Sequence, residues 1–563
     1  MSCEDQIYSN DYYDLIIDRE NSGRPDISGF CTQPIDTRFY ALYIPREGAP
    51  ELNISNYTFS AIPKCYTLSD QSALEASGIL KVQNQPTLAL KGNGVLLGFL
   101  DTGIAYTNRV FRNSDGSSRI AGIWDQTIRG NPPEGFLYGS EYLQDVINEA
   151  LLAEDPYTVV PSRDENGHGT YVAGVAAGGR DAANDFSGAA PEADIAVVKL
   201  KQAKQYLREF YFIPDQAVAF EETDIMAAVY YLWRLASKRN QPLVICLALG
   251  SNMGSHDGTN PLAYYLGDVA IRQMCAVVTA AGNEANARHH YLGSLSEETE
   301  YDQVEISVEA GVTGFTAQLW AGAPELYSVT VMSPTGEIVP MVYPRTGERK
   351  VYQFIFEETV VSIDYRVVGI SSGDQLIYIR FEKPTRGIWS IQVYGNNYLT
   401  DSYHIWLPNS SFLSGEVVFL RSNPYYTVSV PGDARAVITV GGYNTRDNSL
   451  YIDSGRGYTV NQYIKPDFVA PAVEVYGPAV RTGIYENRTG TSAAAAVTAG
   501  AGALFMEWVV LRRGATNINT VQIKNFFIRG AAREDGRTYP NREWGYGRLN
   551  LYDTFDTLRE YNR

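Results

Sequence analysis

Three short stretches of the sequence hold side chains that could act together in acyl transfer. Ser492 stands at the edge of the small-residue run "TGTSAAAAVTAG", His168 lies between glycines in "DENGHGTYVAGVAAGG", and Asp101 ends the apolar run "VLLGFLDTGI". A serine hydroxyl is a weak nucleophile until a base removes its proton, and an imidazole oriented by a carboxylate is such a base. Taken singly, the histidine could be structural and the aspartate could cap a turn.

The segments around these residues alternate between two patterns. Near-continuous apolar runs, typical of strands buried on both faces of a parallel sheet, recur as "GNGVLLGFLDTG", "ADIAVVKL", "PLVICLALG", "CAVVTAAGN" and "AVITVGGYN". Between several of them lie helix-period segments such as "TDIMAAVYYLWRLASKRN" and "PLAYYLGDVAIRQMC". This alternation predicts a doubly wound α/β domain with its active groups at the carboxyl ends of the strands.

Two segments depart from that alternation. Residues 1–68 contain the strand-like runs "YYDLIID" and "RFYALYIP", which predict a small α+β unit. Residues 291–433 contain short stretches such as "QVEISVEA" and "GFTAQLWA" that alternate apolar with polar residues, which predicts an inserted all-β sandwich or jelly roll. The α/β domain would then consist of residues 69–290 and 434–563.

Composition and charge limit the partners of the chain. Acidic residues outnumber basic ones by 64 to 46 in 563 residues, giving a formal net charge of -18, so we expect no nucleic-acid binding. The run Ala493–Leu511 is apolar over about the 20 residues that span a bilayer. Because its first half is alanine and glycine and Glu507 interrupts its second half, we expect a buried central helix and no membrane span.

The N-terminus and the cysteines bear on the cellular compartment. "MSCEDQIYSNDYYDLIID" has acidic residues where a signal peptide needs a basic region, so we expect a protein kept inside the cell. The 5 cysteines show no CxxC spacing, so neither a zinc ribbon nor a disulfide framework is indicated.

The motifs "LDTG", "NGHGT" and "TGTSAAAA", in the order Asp, His, Ser, resemble the subtilisin-like serine proteases. The resemblance covers about Gly78 to Leu551 apart from the β insertion. It implies Ser492 as the nucleophile, His168 as general base and then acid, and Asp101 as the orienting carboxylate.

Two further stretches carry the same resemblance. "TAAGNE" resembles the family segment whose asparagine binds the oxyanion, which implies Asn283 in that role. "LALGSNMG" resembles the strand that pairs with the substrate backbone and walls the P1 side-chain pocket, which implies Ala248, Leu249 and Gly250 as substrate-binding residues. The chain departs from the family after the serine, where the usual methionine, proline and histidine are replaced, respectively, by Ala493, Ala495 and Val497.

Within this family the chain is similar to the Csp germination proteases of spore-forming bacteria. The β insertion, "KQAKQYLREFY" and "SGILKVQNQPTLALKGNGVLLGFLDTGI" carry this likeness. It implies a self-processing zymogen in which residues 1–68 are a prodomain, a folding template and inhibitor, with the cut near Cys65 to Gln71. It also implies a protein substrate, such as the pro-form of a spore cortex hydrolase, and a cytoplasmic or spore-associated location.

Two alternatives stay open at this point. Some Csp relatives are implied to be catalytically idle scaffolds or germinant-sensing proteins, and a subtilase from a lineage without spores would have another substrate. The proposed chemistry requires no cofactor. The family often binds structural calcium, but the sequence shows no contiguous EF-hand-like spacing, so its metal sites stay unassigned.

Overall fold

The computed structural model describes residues 2–19, 29–68, 74–295, 299–345, 347–367, 374–395 and 402–560. Its N-terminal unit contains one short helix and four strands: α1 Cys3–Tyr8, β1 Tyr12–Asp18, β2 Cys31–Pro34, β3 Phe39–Pro45 and β4 Cys65–Leu68. The first three strands form an antiparallel sheet in the order β1-β3-β2, whereas β4 leaves this unit and joins another sheet.

A disulfide between Cys3 and Cys31 joins α1 to β2. The spacing of the cysteines indicated no disulfide framework, and that interpretation is wrong for this pair. The two cysteines are 28 residues apart in the chain, and the folding of β2 beside α1 brings them together. The other three cysteines, Cys65, Cys246 and Cys275, are free and buried.

The central unit is built around an eight-stranded sheet in the order β25-β24-β12-β10-β5-β8-β6-β7. The elements of its first part are α2 Ile79–Asn84, β5 Leu96–Asp101, β6 Ile120–Asp125, β7 Ser140–Leu143, α3 Gln144–Leu152, α4 His168–Ala177, β8 Asp194–Lys199, α5 Gln205–Tyr211, β9 Phe220–Glu221, α6 Glu222–Arg239, β10 Leu243–Leu247, β11 Leu249–Gly250, α7 Pro261–Ala270 and β12 Cys275–Ala280. Its second part, which follows the insertion, contributes β24 Ile438–Tyr443, β25 Phe468–Pro471, β26 Val475–Pro478, β27 Tyr485–Arg488, α8 Thr491–Met506, α9 Thr520–Gly530 and α10 Leu551–Glu560.

The sheet confirms the predicted α/β architecture, with one difference. The pairs from β25 to β6 are parallel, but β7 runs antiparallel to β6, so the sheet is mixed. Helices α4 and α8 pack in the apolar core on one face of the sheet, and α6 and α7 pack in the core on the other face. Because both faces are covered, the parallel strands are mostly apolar, as their sequences indicated.

The inserted segment forms two antiparallel sheets that enclose an apolar core of their own. Its strands are β13 His290–Ser294, β14 Asp302–Val308, β15 Gly314–Ala321, β16 Tyr327–Met332, β17 Ile338–Val342, β18 Arg349–Gln353, β19 Val360–Val367, β20 Gln375–Glu382, β21 Gly387–Gly395, β22 Ser402–Trp406 and β23 Val417–Phe419. The sheet orders are β13-β22-β15-β20-β19-β18 and β17-β16-β21-β14-β23. Alternate residues of most of these strands face this core, which explains the period of two in the sequence.

Helix α8 explains the run of alanine and glycine after Ser492. The whole helix is buried, and a methyl group added at Gly500 would lie 2.2 Å from Ala189 Cβ. By length and composition the stretch Thr491–Arg512 could cross a membrane, but 89% of its most apolar window is buried inside the protein. Glu507 near its end accepts the backbone N–H groups of Lys91 and Gly92, both at 2.8 Å, so this carboxylate is used inside the fold.

The close approach at Gly500 generates a stability prediction. Replacement of Gly500 by Ala should lower the free energy of unfolding by about 1–3 kcal/mol, because the added methyl group overpacks a filled core. The matched control is Gly502→Ala on the same helix, where the methyl group would meet Val244 Cγ1 at 3.4 Å, an ordinary contact. The control should be neutral or stabilising, since alanine favours a helix. Equal urea midpoints for the two variants would contradict this account of the packing.

Candidate active site

Asp101, His168 and Ser492 lie side by side at one edge of the central sheet. Asp101 is the last residue of β5, His168 the first residue of α4 and Ser492 the second residue of α8. His168 Nδ1 lies 2.8 Å and 2.9 Å from the two carboxylate oxygens of Asp101, and His168 Nε2 lies 3.3 Å from Ser492 Oγ. All three side chains are buried. The imidazole therefore bridges the carboxylate and the hydroxyl.

Glycines on both sides of His168 bring helix α4 close to the end of β5. Gly167 precedes the helix with φ +89°, a conformation that glycine adopts without strain. A methyl group added at Gly169 would lie 2.2 Å from the carbonyl oxygen of Gly103, so this position tolerates no side chain. The "NGHG" pattern thus reflects the close packing of the histidine helix on the aspartate strand.

Asp164 is a positioning residue that the sequence analysis did not identify. Its Oδ1 accepts hydrogen bonds from the Thr102 hydroxyl and the N–H of Gly167, both at 2.8 Å. Its Oδ2 accepts hydrogen bonds from the N–H and the hydroxyl of Thr170, at 2.8 and 2.6 Å. One buried carboxylate therefore joins the turn after Asp101 to the first turn of the helix that begins at His168. The sequence did contain an indication of this role, because acidic side chains are favoured at helix N-termini and Asp164 stands four residues before His168.

Ser492 lies in the first turn of α8, where backbone N–H groups have no acceptor within the helix. Its hydroxyl also contacts the carbonyl oxygen of Ala248 at 3.3 Å. The helix start is held in place by the N–H of Gly490, which donates to the carbonyl of Ala472 at 2.7 Å. The N–H of Ser492 is therefore suited to receive negative charge on a reacting carbonyl oxygen.

Asn283 lies next to this helix start, in the loop after β12. Its Oδ1 accepts the N–H and the hydroxyl of Thr491 at 3.0 and 3.1 Å, and the Thr491 hydroxyl accepts the N–H of Gly282 at 3.1 Å. These bonds fix which end of the amide faces the helix. The NH₂ group of Asn283 is therefore the end of the amide that can act as a donor.

The segment Ala248 to Gly250 borders a groove that the N-terminal unit of the same chain occupies. β11 pairs antiparallel with β4, with Leu249 opposite Leu68 and Gly250 opposite Thr67. On its other side β4 pairs with β9, so the three strands form a small sheet in the order β11-β4-β9. A chain segment thus already binds by backbone hydrogen bonds where the sequence analysis placed the substrate.

Glu284 and His289 link this site to the inserted unit, and neither role was predicted from the sequence. The Glu284 carboxylate lies 2.7 Å from His289 Nδ1 and accepts the hydroxyl and the N–H of Ser410 at 3.1 and 3.2 Å. Ser410 belongs to the inserted unit, between β22 and β23. Since Glu284 directly follows Asn283, the insertion holds the segment that carries the candidate oxyanion donor.

Among the described residues, no group of three or more His, Cys, Asp or Glu side chains is arranged to hold a metal ion. The arrangement of Asp101, His168 and Ser492 is that of nucleophilic catalysis with a general base. Its chemistry needs an alcohol, a base and two donors for an oxyanion, and the groups described above comprise this set.

The bonds of Asp164 generate a prediction. Asp164→Asn replaces one accepting oxygen with an NH₂ group that faces donors, so the free energy of unfolding should fall by about 2–4 kcal/mol. The matched control is Asp115→Asn, since Asp115 also accepts an N–H and a hydroxyl, both from Ser117, but in an exposed turn. The control should change stability by less than about 0.5 kcal/mol. Equal losses in chemical denaturation would show that Asp164 has no special part in joining β5 to α4.

Comparison with known proteins identifies a family and a similar solved structure. The model of the subtilase family, peptidase S8, matches residues 92–335 and 360–547. The solved structure of the CspB protease of Clostridium perfringens is similar with a TM-score of 0.77 and 32% identity, and the alignment covers 87% of this chain and 99% of that one.

Two curated relatives match over shorter lengths. Subtilisin of Bacillus sp. (strain TA39) is 25% identical over 291 residues, which are 50% of this chain and 58% of that enzyme. The subtilisin-like protease SBT6.1 of Arabidopsis thaliana is 31% identical over 145 residues, 24% of this chain and 14% of that protein. This chain therefore spans less than two thirds of either relative. The family match, which takes in more than half of the residues, shows that the chain belongs to the subtilase family and has its α/β fold.

Proposed function

We propose that this protein is a serine endopeptidase. The observation that carries the proposal is the His168 imidazole, which contacts the Asp101 carboxylate through Nδ1 and the Ser492 hydroxyl through Nε2. His168 takes the proton of Ser492 as Oγ bonds to the carbonyl carbon of the peptide. The Ser492 N–H and the Asn283 NH₂ stabilise the oxyanion, and His168 then passes the proton to the departing amine. Water hydrolyses the acyl-enzyme by the same steps.

We also propose that the N-terminal unit is a prodomain that the enzyme cuts from itself. The pairing of β4 with β11 and β9 supports this, because it lays the end of that unit along the groove beside Ser492. The resemblance to the Csp proteases implied a cut near Cys65 to Gln71. Cys65–Leu68 forms β4, while residues 69–73 lie outside the described residues. The bond to be cut would follow β4 directly, within residues 69–71.

The cut prodomain would stay bound, because it shares buried surface with both other units. One apolar cluster contains Ile54 and Phe59 of the N-terminal unit, Tyr211 of the central unit, and Trp320 and Tyr378 of the insertion. Phe59 packs edge-on against Trp320 with ring centroids 5.5 Å apart. Such a cluster persists without the peptide bond, so the unit would act as template, inhibitor and lasting part of the enzyme.

For the substrate we propose a specific protein, such as the inactive pro-form of a hydrolase of the spore cortex, at a cytoplasmic or spore-associated site. The likeness to the CspB protease over nearly its whole length supports this. An idle scaffold or a germinant-sensing protein is less compatible with the assembled Asp101, His168 and Ser492. The alternative is a subtilase whose substrate is unrelated to spores. Testing whether the enzyme activates the pro-form of a cortex hydrolase distinguishes the two hypotheses.

Self-processing gives a direct prediction. Ser492→Ala should leave the prodomain covalently attached while the fold survives, because the alcohol that attacks the peptide bond is gone. Intact-mass analysis of the purified full-length protein reads the outcome. The matched control is Thr498→Val on the same helix, since the buried Thr498 hydroxyl has no hydrogen-bond partner in the described part of the chain. A truncated Ser492→Ala protein would show that another protease makes the cut.

Buried charges between the prodomain and the central unit generate a pH prediction. The carboxylates of Asp14, Glu221 and Asp224 lie beside the ammonium groups of Lys201 and Lys204, with Asp14 bound to Lys204 and Lys201 Nζ 2.7 Å from Asp224. Burial raises the pKa of Asp14 well above its usual range and the pKa of Asp224 to about 6. Three carboxylates facing two cations favour a bound proton.

Because these pKa values are raised in the docked state, docking takes up a proton and weakens as the pH rises from about 4 through about 6. The urea concentration that releases the cut prodomain should therefore fall over this range, as measured by gel filtration. In Asp14→Asn the remaining two carboxylates balance the two cations. The urea concentration that releases the prodomain should therefore depend less on pH in this variant. A releasing urea concentration that increases with pH, or one that depends on pH equally in Asp14→Asn and the wild type, would contradict this account.

A further inference from the structure

Three of the 5 histidines of the chain form one buried cluster where the insertion meets the central unit. His256 lies in the segment between β11 and α7, His290 begins β13, and His404 lies in β22. Their rings stack on Trp406 of β22 with centroids 4.3, 5.0 and 5.0 Å away, respectively. These three histidines and Trp406 are called the histidine column below. None of the three is more than 8% exposed, so the column is dry.

His256 fixes the segment that continues the groove wall formed by Ala248 to Gly250. Its Nδ1 and Nε2 lie 2.9 and 3.1 Å from the carbonyl oxygens of Val428 and Asn252. The Asn252 side chain in turn donates to the Glu284 carboxylate at 3.3 Å, beside the candidate oxyanion donor. The column therefore supports both the groove wall and the oxyanion segment.

His290 and His404 are hydrogen-bonded to each other as a pair of neutral rings. His290 Nδ1 lies 3.2 Å from the carbonyl oxygen of Asn423, and His290 Nε2 lies 3.0 Å from His404 Nδ1. Since a carbonyl oxygen can only accept, His290 donates from Nδ1, and His404 then donates from its own Nδ1 to the bare Nε2 of His290. Two imidazolium rings at this distance would face each other with N–H groups and repel.

The neighbours of the column offer little compensation for added positive charge. Asp257, next to His256, supplies one carboxylate for three rings. Tyr426 packs its ring against the two histidines of the insertion, with centroids 5.8 and 4.7 Å away, and the Arg542 guanidinium lies 5.4 Å from that ring. In β15 the apolar Trp320 stands opposite the histidine of β22. A proton taken up by the closed column would thus be held without an adequate counterion.

This environment makes the column less stable in acid. Burial lowers the pKa of all three histidines, that of His290 well below its usual range and that of His404 to about 3. An exposed histidine, in contrast, binds a proton below about pH 6.5. Opening of the column therefore takes up protons, so its closed state is fully stable above about pH 6.5 and loses stability as the pH falls below that value.

We propose that the histidine column is an acid-sensitive joint, which holds the insertion against the groove wall while its rings are neutral and opens when they take up protons. Acidification would loosen the wall and the segment that carries Asn283 before the whole protein unfolds. This inference concerns the fold and does not depend on the proposed peptidase function. Its direction is opposite to that of the prodomain contact, which we expect to weaken as the pH rises.

Hydrogen exchange of the full-length protein, measured by mass spectrometry of short peptides, tests this joint. The parent protein carries Ser492→Ala, so that no self-digestion occurs. The N–H groups of Val460 and Asn423 donate to the carbonyls of His256 and His290 at 3.0 and 2.8 Å and report whether the column is closed. Their protection, relative to the intrinsic exchange rate at each pH, should fall by at least about 50-fold between pH 6 and pH 5, because each such histidine contributes about 8-fold.

Two variants of the parent protein remove proton sites from the column. His290→Phe combined with His404→Phe keeps the stacked rings, and its protection should fall by no more than about 10-fold over the same range. His404→Gln keeps a donor toward His290, so it decides the question if the double variant does not fold. Its fall in protection should be about 8-fold smaller than that of the parent.

Strand β10, Leu243–Leu247, is the internal control, because it lies in the buried central sheet away from the column. Its protection should stay unchanged between pH 6 and pH 5. A fall of less than about 50-fold at the joint of the parent protein, a fall as large in His404→Gln as in the parent, or an equal fall in β10 would overturn the inference.

Discussion

The imidazole of His168 can contact a carboxylate and an alcohol at once only if the ends of three distant chain segments meet within a few ångströms. The last residue of β5, the first residue of α4 and the first turn of α8 supply these groups. Glycine residues permit this close approach, because a side chain at Gly169 or Gly500 would collide with the neighbouring segment. The small residues around the site are thus a steric requirement for bringing the reacting groups together.

The other two units are built onto this arrangement. The N-terminal unit sends β4 into the groove between β11 and β9, and the insertion binds Glu284 beside the candidate oxyanion donor. All three units contribute to one apolar cluster. Under our proposal, an N-terminal unit held in this way would limit access to the groove after the cut, which suits an enzyme with one or few protein substrates better than a digestive one. The insertion would keep the oxyanion segment rigid.

The sequence predicted the residues that carry local patterns. Asp101, His168 and Ser492 stand in short motifs beside glycines, and the apolar runs before them indicated a sheet covered on both faces. Asp164 and Glu284 act through partners far along the chain or in another unit, so their own neighbours in sequence gave little sign of their roles. The Cys3–Cys31 disulfide was missed for the same reason, because α1 and β2 become neighbours only in the folded N-terminal unit.

The central claim is that an imidazole held by Asp101 activates Ser492. It is tested most directly by the rate at which a small fluorophosphonate labels Ser492 in the wild-type protein and in Asp101→Asn. Asparagine would favour the wrong imidazole tautomer and could not stabilise the imidazolium, so we predict labelling slower by about 10³ to 10⁴-fold with the fold unchanged. Equal labelling rates in the two proteins, or no labelling of the wild type, would contradict the account.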